Sequence, residues 1–414
     1  MSVEKKVPEV RFKGFGGEWV YKKLQELTHK GFSNGVFNDP QKVGKGYRLI
    51  NVKDMYTGDS INIDNLSLVD IGEKEFNNNK VEYGDIFFTR SSLVREGIAY
   101  SNVNLSDRHD ITFDGHLIRM QPCKTTTDPV FLAYLFKTSS ARKQFILGGK
   151  TTTMTTIGQS DIAVVELAQP DKPEQTQIGN YFQKLDTLIN QHQQKHDKLS
   201  STKKAMLEKM FPKQGETIPE IRFKGFSGEW EEKGLNNEVE LFSGLTYSPS
   251  DIRNSGTLVL RSSNVKNGQL IEADNIYVNP EVVNCRNVVE GDIIVVVRNG
   301  SRSLIGKHAQ VTSRMNNTVI GAFMTGIRSK QPAFINALLD TNMFTTEVEK
   351  NLGATINQIT NGSFNSMVFM FPKEDEQQEI GNYFQKLDAL INQHQQQITK
   401  LNNIKQACLS KMFI

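Results

Sequence analysis

A stretch of 17 residues occurs twice in this chain. Ile178–Gln194 reads IGNYFQKLDTLINQHQQ, and Ile380–Gln396, 202 positions on, reads IGNYFQKLDALINQHQQ, with Thr187/Ala389 the one difference. A shorter echo lies ahead of each copy: PEVRFKGFGGEW from Pro8 to Trp19 and PEIRFKGFSGEW from Pro219 to Trp230. Two echoes in the same order make the chain two copies of one unit, so its fold carries an internal repeat and its function must use both copies.

The repeated stretch is helical by pattern. Ile178, Phe182, Leu185, Ile189, His192, His196, Leu199, Lys203, Met206 and Met210 follow one another in alternating steps of four and three. Ile380, Phe384, Leu387, Ile391, His394, Ile398, Leu401, Lys405, Cys408 and Met412 repeat those steps. This is the seam of a coiled coil. Asp171 and Pro173 suit a helix start and Pro212 a stop. Each helix is expected to run for about 38 residues, roughly 57 Å. A helix so long with so narrow an apolar stripe needs a partner helix. The other copy is the expected partner, because one chain holds the two at high effective concentration. The pairing is expected to be antiparallel if the copies are related by a pseudo-two-fold axis; two separate coiled coils with other proteins are the alternative. The seam histidines His192, His196 and His394 are expected to specify register rather than to bind a ligand.

At 414 residues the chain is long enough for two or more domains with cores of their own. Its formal charge of +3 argues neither for nor against nucleic acid. There is no apolar run of membrane-spanning length, and the charged start MSVEKKVPEV does not resemble a signal peptide. The three cysteines, Cys123, Cys285 and Cys408, lie far apart, which suggests a reducing compartment and no zinc cluster. A cytoplasmic location is expected.

In chain order, residues 1–17 form an arm. A short helix is expected over Val20–Thr28, then strands at Tyr47–Val52, Asp85–Thr89 and His116–Gln121. A helical stretch Pro129–Leu147 and a strand Ile162–Leu167 precede the first long helix. Lys213–Thr217 is a polar linker. In the second copy strands are expected at Leu258–Val265, Asp292–Arg298 and Thr318–Ile327, a helical stretch at Pro332–Leu352 and a strand at Met367–Phe371. The segments between the helices have diverged yet keep landmarks. Arg48 and Asn51 match Arg261 and Asn264; Tyr83-Gly84-Asp85-Ile86 matches Glu290-Gly291-Asp292-Ile293, with an apolar run ending in Arg90 or Arg298; Gly149 and Thr151 match Gly353 and Thr355.

No catalytic apparatus stands out. GGKTTT at Gly148–Thr153 lacks the first glycine of a phosphate loop, since position 144 is Gln144. HDITFDGH, His109–His116, groups histidines and acids but alternates like a strand and has no counterpart in the second copy, so a metal site is not expected. There is no glycine-rich S-adenosylmethionine loop and no nucleophile with its base. What recurs near strand ends is Arg, Lys, Asn, Gln, Ser and Thr. The first copy has Arg48, Asn51, Lys53, Arg90, Ser91, Ser92, Arg95, Lys150 and Thr151–Thr153; the second has Arg261, Ser262, Ser263, Asn264, Lys266, Arg298, Asn299, Ser301, Arg302, Lys307, Asn357 and Gln358. Such side chains suit DNA: Arg grips guanine O6 and N7, Asn or Gln grips adenine, and Lys, Ser and Thr hold phosphates. Ordinary solvated turns have the same composition.

These features together resemble the DNA-specificity subunit of a type I restriction–modification system. They are the duplicated RFKGF-x-GEW openings, the two variable segments with GDI and a following Arg, the entries Glu174-Gln175 and Glu376-Gln377, and the paired long helices ending in KMF. The resemblance covers essentially the whole chain. It implies an α+β fold of two mixed α/β target-recognition domains separated by two long antiparallel coiled-coil helices. Residues 1–172 would be the arm and first recognition domain, 173–212 the first long helix, 213–375 the linker and second recognition domain, and 376–414 the second long helix. The seam would run through Ile178, Phe182, Leu185, Ile189, His192, Leu199, Ile380, Phe384, Leu387, Ile391, His394, Ile398 and Leu401. Each domain would read one half of a bipartite, asymmetric site on double-stranded DNA, and the helices would set the spacer. Two methyltransferase subunits and restriction subunits would dock. Adenine methylation and cleavage would be theirs, with S-adenosylmethionine, ATP and Mg bound there and no cofactor in this chain. A duplicated coiled-coil adaptor whose heads bind proteins, not DNA, is the competing class.

Overall fold

The computed structural model describes residues 6–37, 40–352 and 357–414. It divides into two units, one of residues 1–193 with 396–414, the other of residues 194–395. In the first unit a four-stranded antiparallel sheet runs Thr28–Asn34, Leu117–Pro122, Ile86–Thr89, Ser101–Val103. A three-stranded sheet runs Ser67–Val69, Val43–Ile50, Ile111–Phe113, its last pair parallel. A ribbon of Val20–Lys23 with Glu166–Gln169 leads into the long helix. The second unit repeats this plan. Val239–Ser243, Met324–Ser329, Ile293–Val296 and His308–Gln310 form the antiparallel sheet. The partly parallel sheet ends on Thr257–Leu260 with Thr318–Ile320, and Glu231–Gly234 pairs with Val368–Phe371.

The two long helices are Lys172–Met210 and Glu374–Lys411, 39 and 38 residues. Each unit holds the first half of one and the last part of the other, and the two run antiparallel. In the first unit Tyr181, Phe182 and Asp186 meet Cys408, Phe413 and Lys405. In the second, Phe384 and Asp388 meet Phe211 and Lys203. The seam is buried where it enters a unit's core, at Ile178, Phe182, Leu185, Ile380, Phe384 and Leu387, and is buried also at Ile398. It is half-buried at Ile189, His192, Leu199, Ile391, His394 and Leu401. The seam lysines have a structural reason. Lys405 bonds Asp186 at 2.5 Å and Asp59 of the head at 2.9 Å. Lys203 bonds Asp388 at 2.5 Å and Asp340 of the head at 2.7 Å. Each therefore fixes helix to helix and helix to head at once.

The shorter echo is explained in the same terms. Arg11 forks onto Glu174 at 2.6 and 2.7 Å, and Arg222 onto Glu376 at 2.6 Å through both nitrogens. Trp19 packs edge-on against Phe413, and Trp230 against Phe211.

Several expected elements differ. Val20–Thr28 is not a helix: Val20–Lys23 pairs in the ribbon, Leu24–Glu26 makes one 3-10 turn, and a new strand starts at Thr28. Burying Leu24 and Leu27 in the core outweighs local helix preference. Pro129–Leu147 is two helices, Pro129–Leu135 and Ser139–Gly148, because Thr138 caps the second. Thr341 does the same between Pro332–Leu339 and Asn342–Asn351. The strand expected over Ile162–Leu167 is Glu166–Gln169, after a helical turn Gln159–Ala163. Leu258–Val265 is a strand only to Leu260, and Thr318–Ile327 is two strands about a turn at Gly321–Phe323.

Candidate nucleic-acid interface

In the first unit the fully buried strand Ile86–Thr89 delivers Arg90, the first exposed residue beyond it. Arg90 N donates to His116 O at 3.1 Å, and Arg90 O accepts from Ile157 N at 3.0 Å. Ser91–Ser92 then pairs with Thr155–Thr156, which pairs with Lys150–Thr151. Arg90, Ser91, Lys150 and Thr151 are thus brought to one small sheet. Lys150 also reaches Asp161 at 3.3 Å. Arg95 is exposed on the next 3-10 turn, beside the bare apolar side chains of Leu93 and Val94.

In the second unit Val297 N donates to Phe323 O at 3.0 Å and Val297 O accepts from Ile359 N at 2.9 Å. Val297 therefore stands where Arg90 stands, and Arg298, bridged to Gln358, stands where Ser91 pairs with Thr156. The match of Arg90 with Arg298 is off by one residue, which in an extended chain is a change of face. Arg298 lies over the Phe323 ring, 4.9 Å from its centroid. Asn299 donates to Ser262 Oγ at 3.2 Å and accepts from Ser301 N at 3.0 Å. Arg302 and Lys307 are exposed on and after the following turn. Gly353 and Thr355, the expected counterparts of Gly149 and Thr151, lie outside the described residues.

The other group sits at the end of the partly parallel sheet. Arg48 is held 3.5 Å from Asp110 and 3.4 Å from Ile63 O. Asn51 donates to Ser67 Oγ at 2.8 Å, and its backbone N donates to Asp54 at 2.9 Å. Lys53 is exposed. In the second unit it is Arg261 whose backbone N donates to Asn264 Oδ1, at 2.9 Å. Arg261 is thus the counterpart of Asn51, Asn264 that of Asp54, and Leu258, not Arg261, that of Arg48. Asn264 is also unsuited to a base edge. It is fully buried, with its amide committed to Ile271 O, Ala273 O and Asn275 Oδ1. It shapes the loop that carries Arg261, half-buried Ser263 and exposed Lys266.

At the opposite end of each central strand lies the aspartate of the GDI landmark. Burial pushes the Asp85 carboxyl up to about 6, with Arg119 3.7 Å away; Asp292 is instead gripped by both arms of Arg328 at 2.7 and 2.8 Å.

Two exposed residues at the strand end are not among those expected to meet DNA: Phe323, and His116, which is weighed only for metal; their backbone carbonyls accept the hydrogen bonds just described. The available signal was a turn between two strands reading Asp-Gly-His in one copy and Gly-Ala-Phe in the other. Among the described residues no three His, Cys, Asp or Glu side chains are grouped to hold a metal ion, and no helix is long and apolar enough to cross a membrane.

The model of the type I restriction modification DNA specificity domain matches residues 16–201 and again residues 227–403. The chain is similar to the MjaX type I restriction enzyme specificity subunit of Methanocaldococcus jannaschii, 22% identical over 90% of this chain and 88% of that protein. It is 24% identical to the StySPI specificity subunit of Salmonella potsdam over 43% of this chain and 39% of the relative. A solved type I restriction–modification S subunit from M. genitalium superposes with a TM-score of 0.63 at 14% identity, over 99% of both chains, a likeness of fold.

Proposed function

This chain belongs to the type I restriction–modification DNA specificity family, and we propose that each of its two heads reads one half of a two-part site on double-stranded DNA. The observation that supports this most is the strand-end platform built twice on the same hydrogen bonds, with Arg90, Ser91, Lys150 and Thr151 on one copy and Arg298, Asn299 and Gln358 on the other. A constant frame with changed polar side chains is what two different half-sites require. Exposed Lys53, Arg95, Lys266, Arg302 and Lys307 suit phosphates. Arg48, Asn51, Arg261 and Ser263 fit a supporting role at loop bases. The chain supplies recognition. Adenine methylation and cleavage fall to two methyltransferase subunits and to restriction subunits docked on it, with S-adenosylmethionine, ATP and Mg held by them, in the cytoplasm where the DNA is.

The test is titration of a labelled duplex carrying the methylated motif, with the assembled complex, over a range of salt. The logarithm of affinity should fall linearly with the logarithm of salt, with a slope of about −0.9 for each phosphate contact. Arg298→Ala should weaken discrimination in one half-site only, by about 1–3 kcal/mol. Salt-independent association, or none with duplex, would return the heads to protein adaptors.

A further inference from the structure

We propose that residues 116 and 323 are one and the same base-reading position, filled by a hydrogen-bonding ring in the first unit and by an apolar ring in the second. This rests on the DNA-reading role above and assigns the chemistry of one contact in each half-site.

The equivalence is set by backbone. Residue 116 gives its carbonyl to Arg90 N and residue 323 gives its carbonyl to Val297 N, each at the end of the buried central strand. Ahead of each lies a crossing at which the chain passes too close for any side chain. Gly35 lies against Phe113 O and Gly244 against Gly321 O, where an added Cβ would be 1.9 and 2.1 Å away. Val36 then bridges Asp114, and Leu245 bridges Gly321, both in parallel. A polar tie holds the crossing from the other side. Gln159 donates to Asn34 at 2.6 Å, and Asn34 donates to Gly115 O at 3.2 Å and Leu117 O at 3.0 Å. Asn361 donates to Ser243 Oγ at 3.1 Å and accepts from Thr325 Oγ1 at 2.8 Å. Such a turn is fixed before any ligand arrives, and a fixed turn presenting one large exposed ring is what selective readout needs.

The two rings differ in chemistry. His116 is 66% exposed, and its Nδ1 lies 2.8 Å from Asp114 Oδ1, which also accepts the His116 backbone N–H at 2.7 Å. In the neutral ring, Nδ1–H donates to the Asp114 carboxylate and Nε2 is left as an acceptor. An acceptor in the major groove selects the exocyclic amine of adenine or cytosine. Phe323 is 54% exposed, with the Arg298 guanidinium over its ring. It offers no hydrogen bond, and the base edge it suits is the thymine methyl.

The experiment uses the full chain with its modification subunits. Methylated motifs are mapped for wild type, His116→Phe, His116→Gln, Phe323→His and Phe323→Leu, and affinity is measured on duplexes with deoxyuridine in place of single thymidines. His116→Phe should relax one amine-bearing position in one half and leave the other half unchanged, with His116→Gln, which keeps an acceptor, retaining it. Phe323→His should change one position in the opposite half, with Phe323→Leu retaining it. Removing the thymine methyl there should cost wild type about four-fold in affinity, from roughly 0.8 kcal/mol per buried carbon, and cost Phe323→His nothing. Motifs unchanged in His116→Phe and Phe323→His overturn this assignment while leaving the DNA-reading role standing. Loss of both halves in a conservative variant also overturns it, since the position would then be structural. Absence of any motif in wild type is instead a failure of the DNA-reading role itself.

Discussion

Asp85, which is buried, and Asp340, which is partly exposed, are carboxylates with opposite consequences. Asp85 accepts from Glu82 N at 3.0 Å and Gln121 at 3.2 Å, and burial lifts its carboxyl from 3.8 to about 6. The folded state therefore binds this proton more tightly than the unfolded chain. The stability it contributes is complete below about pH 4 and is lost as pH rises through about 6, a loss on the order of 3 kcal/mol for two pH units. Denaturant unfolding of wild type and Asp85→Asn, compared at intervals from pH 4 to pH 7, should show the wild type losing stability relative to the variant across that window. A constant difference would contradict the assignment. Burial alone would lift Asp340 too, but His308 and Lys203 hold it at about 2. Its stabilisation is present above about pH 4 and is lost only as pH falls through about 2.

Among the elements, the long helices carry a glycine in their interiors, Gly179 and Gly381. An interior glycine costs a helix about 1 kcal/mol against alanine, so a reason is needed, and it lies in docking. A Cβ on Gly381 would sit 2.7 Å from Phe334 N and 3.0 Å from Ala333 Cβ; one on Gly179 would sit 3.0 Å from Phe131 N. The glycine lets Pro129–Leu135 in one unit and Pro332–Leu339 in the other lie directly on the long helix. Gly381→Ala should therefore destabilise the protein by about 1–3 kcal/mol in denaturant unfolding, the usual cost of overpacking. The gain of about 1 kcal/mol that an open helix position gives would contradict that docking.

The seam was legible because a strict heptad over a long run has one reading, and its antiparallel pairing followed from the repeat. The partners of Lys203 and Lys405 were not legible, since Asp340 and Asp59 come from remote segments of the heads. Val20–Thr28 misled because its leucines are spaced much as in a helix, while the pairing that decides its form, with Glu166–Gln169, lies far along the chain. The polar residues proposed for DNA were visible in the sequence as a composition at strand ends. Their register was not: Arg298 answers to Ser91 and Arg261 to Asn51, relations fixed only by the hydrogen bonds of each unit.

At the scale of the whole molecule, neither copy of the repeat completes its own core. The first unit packs Trp19 and Phe131 on Phe413 from the end of the second copy's helix. The second unit packs Trp230 and Phe334 on Phe211 from the end of the first copy's helix. This exchange accounts for the KMF that ends both helices beside the divergence of the heads. The helix ends must fit the other copy's arm and head helix, whereas the strand-end platforms face no such constraint. The claim that follows is modular specificity on one frame. Its direct test is a genome-wide map of N6-methyladenine in cells holding the partner subunits, for this chain and for one whose residues 18–171 come from a relative. A two-part motif that changes in one half only is the predicted result. A motif that changes in both halves, or does not depend on this chain at all, would contradict it.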